Sequence, residues 1–169
     1  MGLLNVLYGI KRWMYRGGRP GRLARALIGV DNRVIALAGH RAPYRTATLE
    51  VVGRSSGAVA KVPVVVADHE GERYLVSVLG DRANWVLNVR AAGGAAVLRR
   101  GKPEPVRLEE VPVADRAPIL RRYLDLAPGA RPHLPVARTA SLTDFEGIAA
   151  DYPVFRVVPA SPGPAPPRP

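Results

Sequence analysis

A basic turn at residues 53–57, with the sequence Gly-Arg-Ser-Ser-Gly, contains the side chains best suited to hold an anion. Its two glycines permit positive φ angles, which can aim successive backbone N–H groups at one point. Arg54 can bind a phosphate or carboxylate through two parallel hydrogen bonds, and the serine hydroxyls add donors. The turn therefore predicts an anion site. The alternative is an ordinary hairpin turn, since Ser-Ser-Gly with a basic neighbour is common in such turns.

Trp85 and Asn88 form a second candidate group, because residues three apart lie on one face of a helix. Such a face could close a binding site beside the basic turn. The alternative is that Trp85 anchors the core and that Asn88 is an exposed surface residue.

Several kinds of site are excluded or disfavoured by the residue types. The chain has no cysteine, and His40, His69 and His133 are far apart, so we expect no metal site. It contains neither a P-loop nor a Gly-x-Gly-x-x-Gly sequence, and no catalytic triad or paired carboxylates stand out. If the protein is an enzyme, we therefore expect a bound organic cofactor to supply the chemistry.

Positive charge is concentrated at the N-terminus. The first 45 residues contain nine Lys and Arg against Asp31 alone, and carry +8 of the formal net charge of +11. Apolar residues at helical spacing predict two basic amphipathic helices within residues 1–40. Their apolar stripe could cover the rest of the chain or a partner subunit, as in a homodimer, or rest on an anionic membrane surface. Nucleic-acid binding is disfavoured, because no recognised motif is present and no aromatic residues alternate with the bases.

No apolar run is long enough to span a bilayer, and the N-terminus lacks the pattern of a signal peptide. We therefore expect a cytoplasmic protein that is at most peripheral on the inner membrane face.

The elements that must position these residues are mostly strands. Ala47, Leu49 and Val51 alternate with polar residues and predict a half-buried strand. Further strands are predicted at Val59 to Ala67, Arg73 to Leu79, Ala95 to Arg100, Pro105 to Val111 and Val154 to Val158. Helices are predicted at Trp85 to Ala92 with Asn84 as N-cap, from Asp115 to Ala127, and at Leu142 to Ala150.

Short strands joined mostly by hairpins predict an α+β, mainly antiparallel protein, built as a barrel or open barrel with peripheral helices. We expect one domain over residues 41–158, preceded by the helical extension 1–40. A Pro-rich, disordered tail is predicted at 159–169.

Three stretches taken together resemble a known family. V-V-G-R-S-S-G-A-V-A-K-V-P-V is followed by G-E-R-Y-L-V-S and then by N-W-V-L-N-V-R-A. In this order they closely resemble the deazaflavin-dependent nitroreductases of actinobacteria, also described as coenzyme F420-dependent quinone reductases. The resemblance is strong over about residues 40–112 and weaker up to Phe155. It implies a split β-barrel like that of flavin-binding reductases, and coenzyme F420, an 8-hydroxy-5-deazaflavin, as cofactor in preference to FMN.

The resemblance also implies roles for individual residues. Those expected to bind the cofactor are Arg54, Ser55, Ser56 and Gly57 at its phosphate and acidic tail, Pro63 and Val65 at its ring, Ser77 and Gly80 along the ring-side pocket, and Trp85 and Asn88 closing the site. Many relatives have a basic residue in place of Ser55, for which Lys61 or Arg82 could compensate. The late tyrosines that form a substrate lid in the best-known relative are represented here by Tyr123 and His133 alone, so substrate specificity does not transfer.

The implied reaction is hydride transfer from carbon 5 of the reduced deazaflavin to a quinone-like or nitro-bearing acceptor. Placement of the acceptor against the ring and donors to its developing charge would lower the barrier. Ser77 and Tyr123 are the candidate catalytic donors. Two alternatives stay open: a non-catalytic carrier of the cofactor or a lipid on the same barrel, and a basic nucleic-acid-binding module.

Overall fold

A computed structural model describes residues 45–160 of the chain. The two basic helices predicted within residues 1–40 lie outside the described residues, as does nearly all of the Pro-rich tail.

The described part contains seven strands and three α-helices. The strands are β1 (Thr46–Val52), β2 (Val59–Val65), β3 (Ala67–His69), β4 (Glu72–Val76), β5 (Ala95–Arg100), β6 (Lys102–Glu110) and β7 (Val154–Pro159). The helices are α1 (Asn84–Ala91), α2 (Arg116–Leu126) and α3 (Leu142–Ile148), with short 3-10 helices at Val113–Asp115 and Pro128–His133.

All seven strands belong to one antiparallel sheet in the order β2-β1-β5-β6-β7-β4-β3. The strands at its two ends, β2 and β3, are separated in sequence by Val66 alone. The two edge strands are therefore consecutive in the chain, and the sheet curls into a split barrel. Val66 is buried at this junction, and its N–H donates to the Arg45 carbonyl (2.8 Å). The predicted antiparallel barrel is confirmed.

Two cores lie on opposite faces of this sheet. Alternation along β1 places Ala47, Leu49 and Val51 in the first core, inside the barrel, where residues of α1 also pack. The second core covers the outer face of β4 and β7, and is filled from α2 and α3. Along β4 the switch takes one residue, since Leu75 belongs to the first core and Val76 to the second.

Several predicted boundaries were wrong. The run from Val59 to Ala67 is two strands, broken at Val66 where the chain passes from one edge of the sheet to the other. The turn between β3 and β4 is confined to Glu70 and Gly71, both with positive φ (50° and 80°), because Asp68 and His69 already pair with β4.

The third predicted strand ends at Val76 rather than Leu79. Conversely, β6 begins at Lys102, three residues before the predicted start. Its prolines, Pro103 and Pro105, are tolerated because the residues before Val106 pair with β5 but not with β7. The missing N–H groups of these prolines therefore leave no hydrogen bond to β7 unmade. Asn84 is not an N-cap: it is the first residue of α1, Ala83 precedes the helix, and no side chain caps it.

Candidate functional site

The β1–β2 turn is a compact loop in which the two glycines have different functions. The Gly53 N–H donates to the Ala58 carbonyl, and the Gly57 N–H donates to the Gly53 carbonyl (2.8 Å each). Gly57 has φ +68°, which L side chains rarely adopt. Gly53 lacks this conformation, but a Cβ there would lie 2.9 Å from Ser56 Oγ and 3.1 Å from the Ala58 carbonyl oxygen. One glycine is thus required by its φ angle and the other by close approach.

The expectation of a positive φ at both glycines holds for Gly57 alone, and the N–H groups of both glycines are used within the turn. The N–H of Ala58 is also engaged, by Ser56 Oγ at 3.3 Å. Within residues 45–160, the backbone N–H groups of Ser55 and Ser56 donate to no protein acceptor. The donors that the turn offers to a ligand are therefore these two amides, the serine hydroxyls and the guanidinium of Arg54.

Arg54 connects the turn to α1. Its backbone N–H and its Nη1 both donate to Asn88 Oδ1, at 3.2 and 2.9 Å. Asn88 is 6% exposed, so the alternative of a surface asparagine is wrong. Because both bonds require an oxygen acceptor, they also fix the orientation of the amide. The structure therefore joins two of the predicted site residues, which are 34 positions apart in the sequence.

Trp85 is a core residue, as its alternative interpretation stated. It is 8% exposed and its ring lies against Phe155, with ring centroids 5.4 Å apart and an interplanar angle of 57°. Phe155 was not predicted as a neighbour of the site. The final strand was predicted from its apolar residues, but the sequence does not show which helix that strand packs against.

Two buried donors on α1 have no acceptor within the described part of the chain. Among residues 45–160, neither Asn88 Nδ2 nor the Trp85 indole N–H is hydrogen-bonded to a protein atom. Leaving a buried donor unpaired costs about 1–3 kcal/mol. An acceptor that approaches either group would offset that cost, so the arrangement favours a polar ligand here.

The side chains of Lys61, Pro63 and Val65 lie on the outer face of β2, since the alternate residues of this strand pack into the first core. Pro63 pairs with Thr48 and lies in an edge strand, where a residue without an N–H is tolerated. Lys61 Nζ is 3.5 Å from a carboxylate oxygen of Glu50. Arg99 donates to the same carboxylate at 2.9 Å, and this hydrogen bond lowers the pKa of Glu50.

Ser77 and Gly80 shape the loop that leads from β4 to α1. Ser77 is buried, its Oγ donates to the Gly80 carbonyl (2.7 Å), and its N–H donates to the Pro153 carbonyl (2.9 Å). Gly80 has φ +83°. The hydroxyl proton of Ser77 is thus engaged within the loop.

Tyr123 lies in the second core, on α2, whereas Trp85 lies in the first. Burial raises the pKa of its hydroxyl, so Tyr123 is protonated at neutral pH. The structure does not bring it together with Arg54 and Asn88.

Two cavities occur elsewhere on the described part. A groove of about 840 Å³ runs between the outer face of β6–β7 and the start of α2, and a space of about 290 Å³ lies where β5 turns into β6. Neither is lined by any of the predicted site residues. Within residues 45–160, no three acidic or histidine side chains converge on a point where they could hold a metal ion, and no helix has the length and apolar character needed to cross a membrane.

A model of the F420H2-dependent quinone reductase family matches residues 24–132, which is more than half of the chain. The chain belongs to this family. Its members are oxidoreductases that use coenzyme F420, so the cofactor expected from the sequence is confirmed. No curated protein matches the chain.

The solved structures to which this chain is similar have low sequence identity to it. An F420H2-dependent reductase is 19% identical, with 67% of this chain and 93% of that one covered and a TM-score of 0.45. An F420 reductase is 16% identical, with 69% and 86% covered and a TM-score of 0.42. A protein of unknown function from Agrobacterium tumefaciens is 13% identical, with 74% and 53% covered and a TM-score of 0.49.

The residues around the basic turn of this chain are suited to bind an acidic group of a ligand. Residues 53–61 include no acid, and the nearest acid of β1, Glu50, is already neutralised by Arg99 and Lys61. The turn and α1 offer one guanidinium, two hydroxyls, the backbone amides of Ser55 and Ser56, and the amide nitrogen of Asn88, which has no protein acceptor among residues 45–160. This set of donors suits phosphate or carboxylate oxygens.

Proposed function

We propose that this protein oxidises F420H2 and reduces a quinone-like or nitro-bearing acceptor, and that the basic turn together with α1 holds the anionic part of the coenzyme. Family membership supports the F420-dependent oxidoreduction. The observation that supports the site is the pair of hydrogen bonds from Arg54 to Asn88 beside buried donors that lack acceptors. When bound, the reduced coenzyme supplies a hydride.

The protein's own contribution is mainly placement and charge. Arg54, Ser55 and Ser56 bind anionic oxygens, and Gly57 allows the chain to turn beneath them. Asn88 Nδ2 donates a further hydrogen bond from α1. Pro63 and Val65 offer apolar surface on the outer face of β2, against which a flat ring can pack. Pro63 is exposed there, and Val65 is partly buried against the second core.

The groups proposed to donate a hydrogen bond to the charge that develops on the acceptor oxygen are Ser77 and Tyr123. Ser77 can act only when its hydroxyl exchanges the Gly80 carbonyl for the acceptor oxygen, a rotation of one side-chain torsion. Tyr123 would have to donate from the second core, where its hydroxyl has no protein acceptor among residues 45–160. Ser77 begins the loop that leads directly into α1, and this position favours it over Tyr123.

The residues proposed to bind the cofactor are tested by titrating the full chain with F420H2 and following menadione reduction. Arg54→Ala should weaken coenzyme binding by about tenfold or more, because it removes a charge-assisted contact worth about 1.5–3 kcal/mol. The matched control is Arg121→Ala, an exposed arginine on α2, which should leave binding unchanged.

Two results would overturn the proposal. The wild-type chain could fail to bind F420H2 saturably and bind FMN instead. Alternatively, Arg54→Ala could bind like the control, which would remove the basic turn from the site. Saturable binding without any menadione reduction would instead support the carrier alternative.

The proposal extends to two partners of the full chain, a second copy of itself and an anionic membrane surface. The charge of the first 45 residues supports the latter, since basic amphipathic segments bind anionic lipids. Co-sedimentation with anionic but not with neutral vesicles would support a membrane role. A single species of monomer mass in light scattering would exclude the homodimer.

A further inference from the structure

Asn88 and Arg54 differ sharply in how firmly the fold holds them. Asn88 is buried on α1, and its helical neighbours Val86 and Val89 pack in the first core. Arg54 is an exposed residue at the tip of a hairpin. An exposed arginine has many rotamers, whereas a buried asparagine bonded on its oxygen has few. In this pair, the position of Asn88 therefore determines that of Arg54.

We infer that Asn88 is a positioning residue, which acts on the anionic ligand through Arg54. This inference rests on the proposed function, because it concerns the same site. The bond to the Arg54 backbone fixes the turn, and the bond to Nη1 fixes the direction of the guanidinium. One of its five N–H donors is spent in this way, and the others stay free for a ligand. Holding the side chain in advance removes part of the entropy lost on binding.

The chemistry of position 88 favours an amide over a carboxylate. An aspartate there could accept the same two hydrogen bonds and would hold Arg54 at least as firmly. However, its negative charge would neutralise the guanidinium and repel phosphate oxygens. Asparagine orients the arginine and leaves its charge available, so Asn88→Asp should keep the contact and lose the ligand.

A double-mutant cycle separates positioning from a merely structural role. Dissociation constants for inorganic pyrophosphate and for F420H2 are measured for the wild type, Arg54→Ala, Asn88→Ala and the double variant. Asn88→Ala should weaken binding about fivefold more when Arg54 is present than when it is absent, because only the hydrogen bond from Nδ2 is lost in the second case. An equal factor in both backgrounds would overturn the inference, because it would mean that Asn88 acts independently of Arg54.

Two further variants complete the test, one as a control and one as an alternative to Asn88→Ala. Asn84→Ala removes an exposed asparagine from the first turn of the same helix and should leave both dissociation constants unchanged. Asn88→Asp is nearly isosteric and serves if the alanine variant does not fold. It should bind pyrophosphate at least tenfold more weakly near pH 8, with recovery as the new carboxylate is protonated. Wild-type affinity in this variant would contradict the inference.

The failures of the inference and of the proposed function are distinguishable. If F420 is not the ligand, the wild type fails to bind F420H2, while the pyrophosphate cycle still reports coupling between Arg54 and Asn88. If the positioning role is wrong, the wild type binds F420H2 and the cycle is additive.

Discussion

At the scale of single residues, the two glycines of the basic turn illustrate two physical reasons for the same residue type. Gly57 is needed for its positive φ, and Gly53 for the space that a Cβ would take from Ser56 and Ala58. The sequence identified both as turn residues and gave both the same reason, a positive φ. It could not distinguish them, because φ angles and close contacts depend on how the hairpin closes.

We predict that Gly57→Ala lowers the free energy of unfolding by about 1–2 kcal/mol, since alanine is strained in the left-handed conformation. Urea denaturation would measure this change. The matched control is Gly129→Ala, where the added Cβ meets nothing within 4 Å and φ is not positive, so that little change is expected. Equal stability of the two variants would contradict the assigned backbone conformation.

The contact between Arg54 and Asn88 shows where prediction from these residues ended. Their types indicated an anion site, and the spacing of Trp85 and Asn88 correctly placed both on one helical face. That Asn88 is buried, and that its oxygen receives both bonds from Arg54, depends on how the hairpin packs against α1. No local pattern in the sequence specifies that packing.

At the scale of elements, one carboxylate links the end of α1 to the sheet and to α2. Arg90, near the end of α1, donates to Glu110 through Nε and Nη2 at 2.9 and 2.7 Å. The buried Arg116 of α2 donates to the same carboxylate at 3.1 Å. Glu110 therefore links the helix that carries Asn88 to both the sheet and α2.

We predict that Glu110→Gln lowers the free energy of unfolding by about 1–3 kcal/mol, because Arg116 is left with a weaker acceptor. The neighbouring Glu109→Gln is the control. Its salt bridge to Arg156 (2.7 Å) is more exposed on both sides, so a loss of about 0–1 kcal/mol is expected. Chemical denaturation of both variants would show the difference.

The same ion pair predicts a pH dependence. The hydrogen bond from Arg90 lowers the pKa of Glu110, so its contribution to stability is present above the pKa of the unfolded chain, near 4.3. That contribution is lost as the pH falls through the lower pKa of the folded state. The difference in stability between the wild type and Glu110→Gln should therefore shrink as the pH decreases below about 4.

Strand boundaries were predicted less well than strand positions. A continuous apolar run such as Val62 to Ala67 gives no sign of where the chain leaves one sheet neighbour for another. The break at Val66 is set by pairing with β1 before it and with β4 after it. Similarly, the sequence did not show that β6 begins at Lys102, because a proline such as Pro103 is unusual within a strand. Pro103 is accommodated because it lies in the part of β6 that pairs with β5 alone.

At the scale of the whole molecule, two cores share a single sheet, and Val66 lies where the chain passes from one edge of that sheet to the other. We predict that Val66→Ala lowers the free energy of unfolding by roughly 2 kcal/mol, through lost burial and the cavity left behind. Val59→Ala, at an exposed position of the same run, should change it by less than about 0.5 kcal/mol. Both variants should unfold in one transition, which circular dichroism and tryptophan fluorescence would report at the same midpoint.

The architecture was largely predictable, because hairpin turns and alternating apolar residues recur along the chain. The closure of the barrel was not, since it depends on β2 and β3 being two halves of one stretch. The strong positive charge of the first 45 residues contrasts with the near balance of the rest. Helices are predicted within residues 1–40, and these residues lie outside the described part of the chain.

The open edge of β2, which ends at Val66, also bears on aggregation. Among residues 45–160, β2 hydrogen-bonds to β1 alone, so one side of this strand is open to a strand from another molecule. Pro63 offers no N–H to such a strand, and the charge of Lys61, 64% exposed, opposes its close approach. Pro63, proposed to face the cofactor ring, and Lys61, a candidate for binding the anionic tail, thus also protect the open edge against intermolecular β-pairing. Replacing them to alter cofactor preference would then carry a cost in solubility.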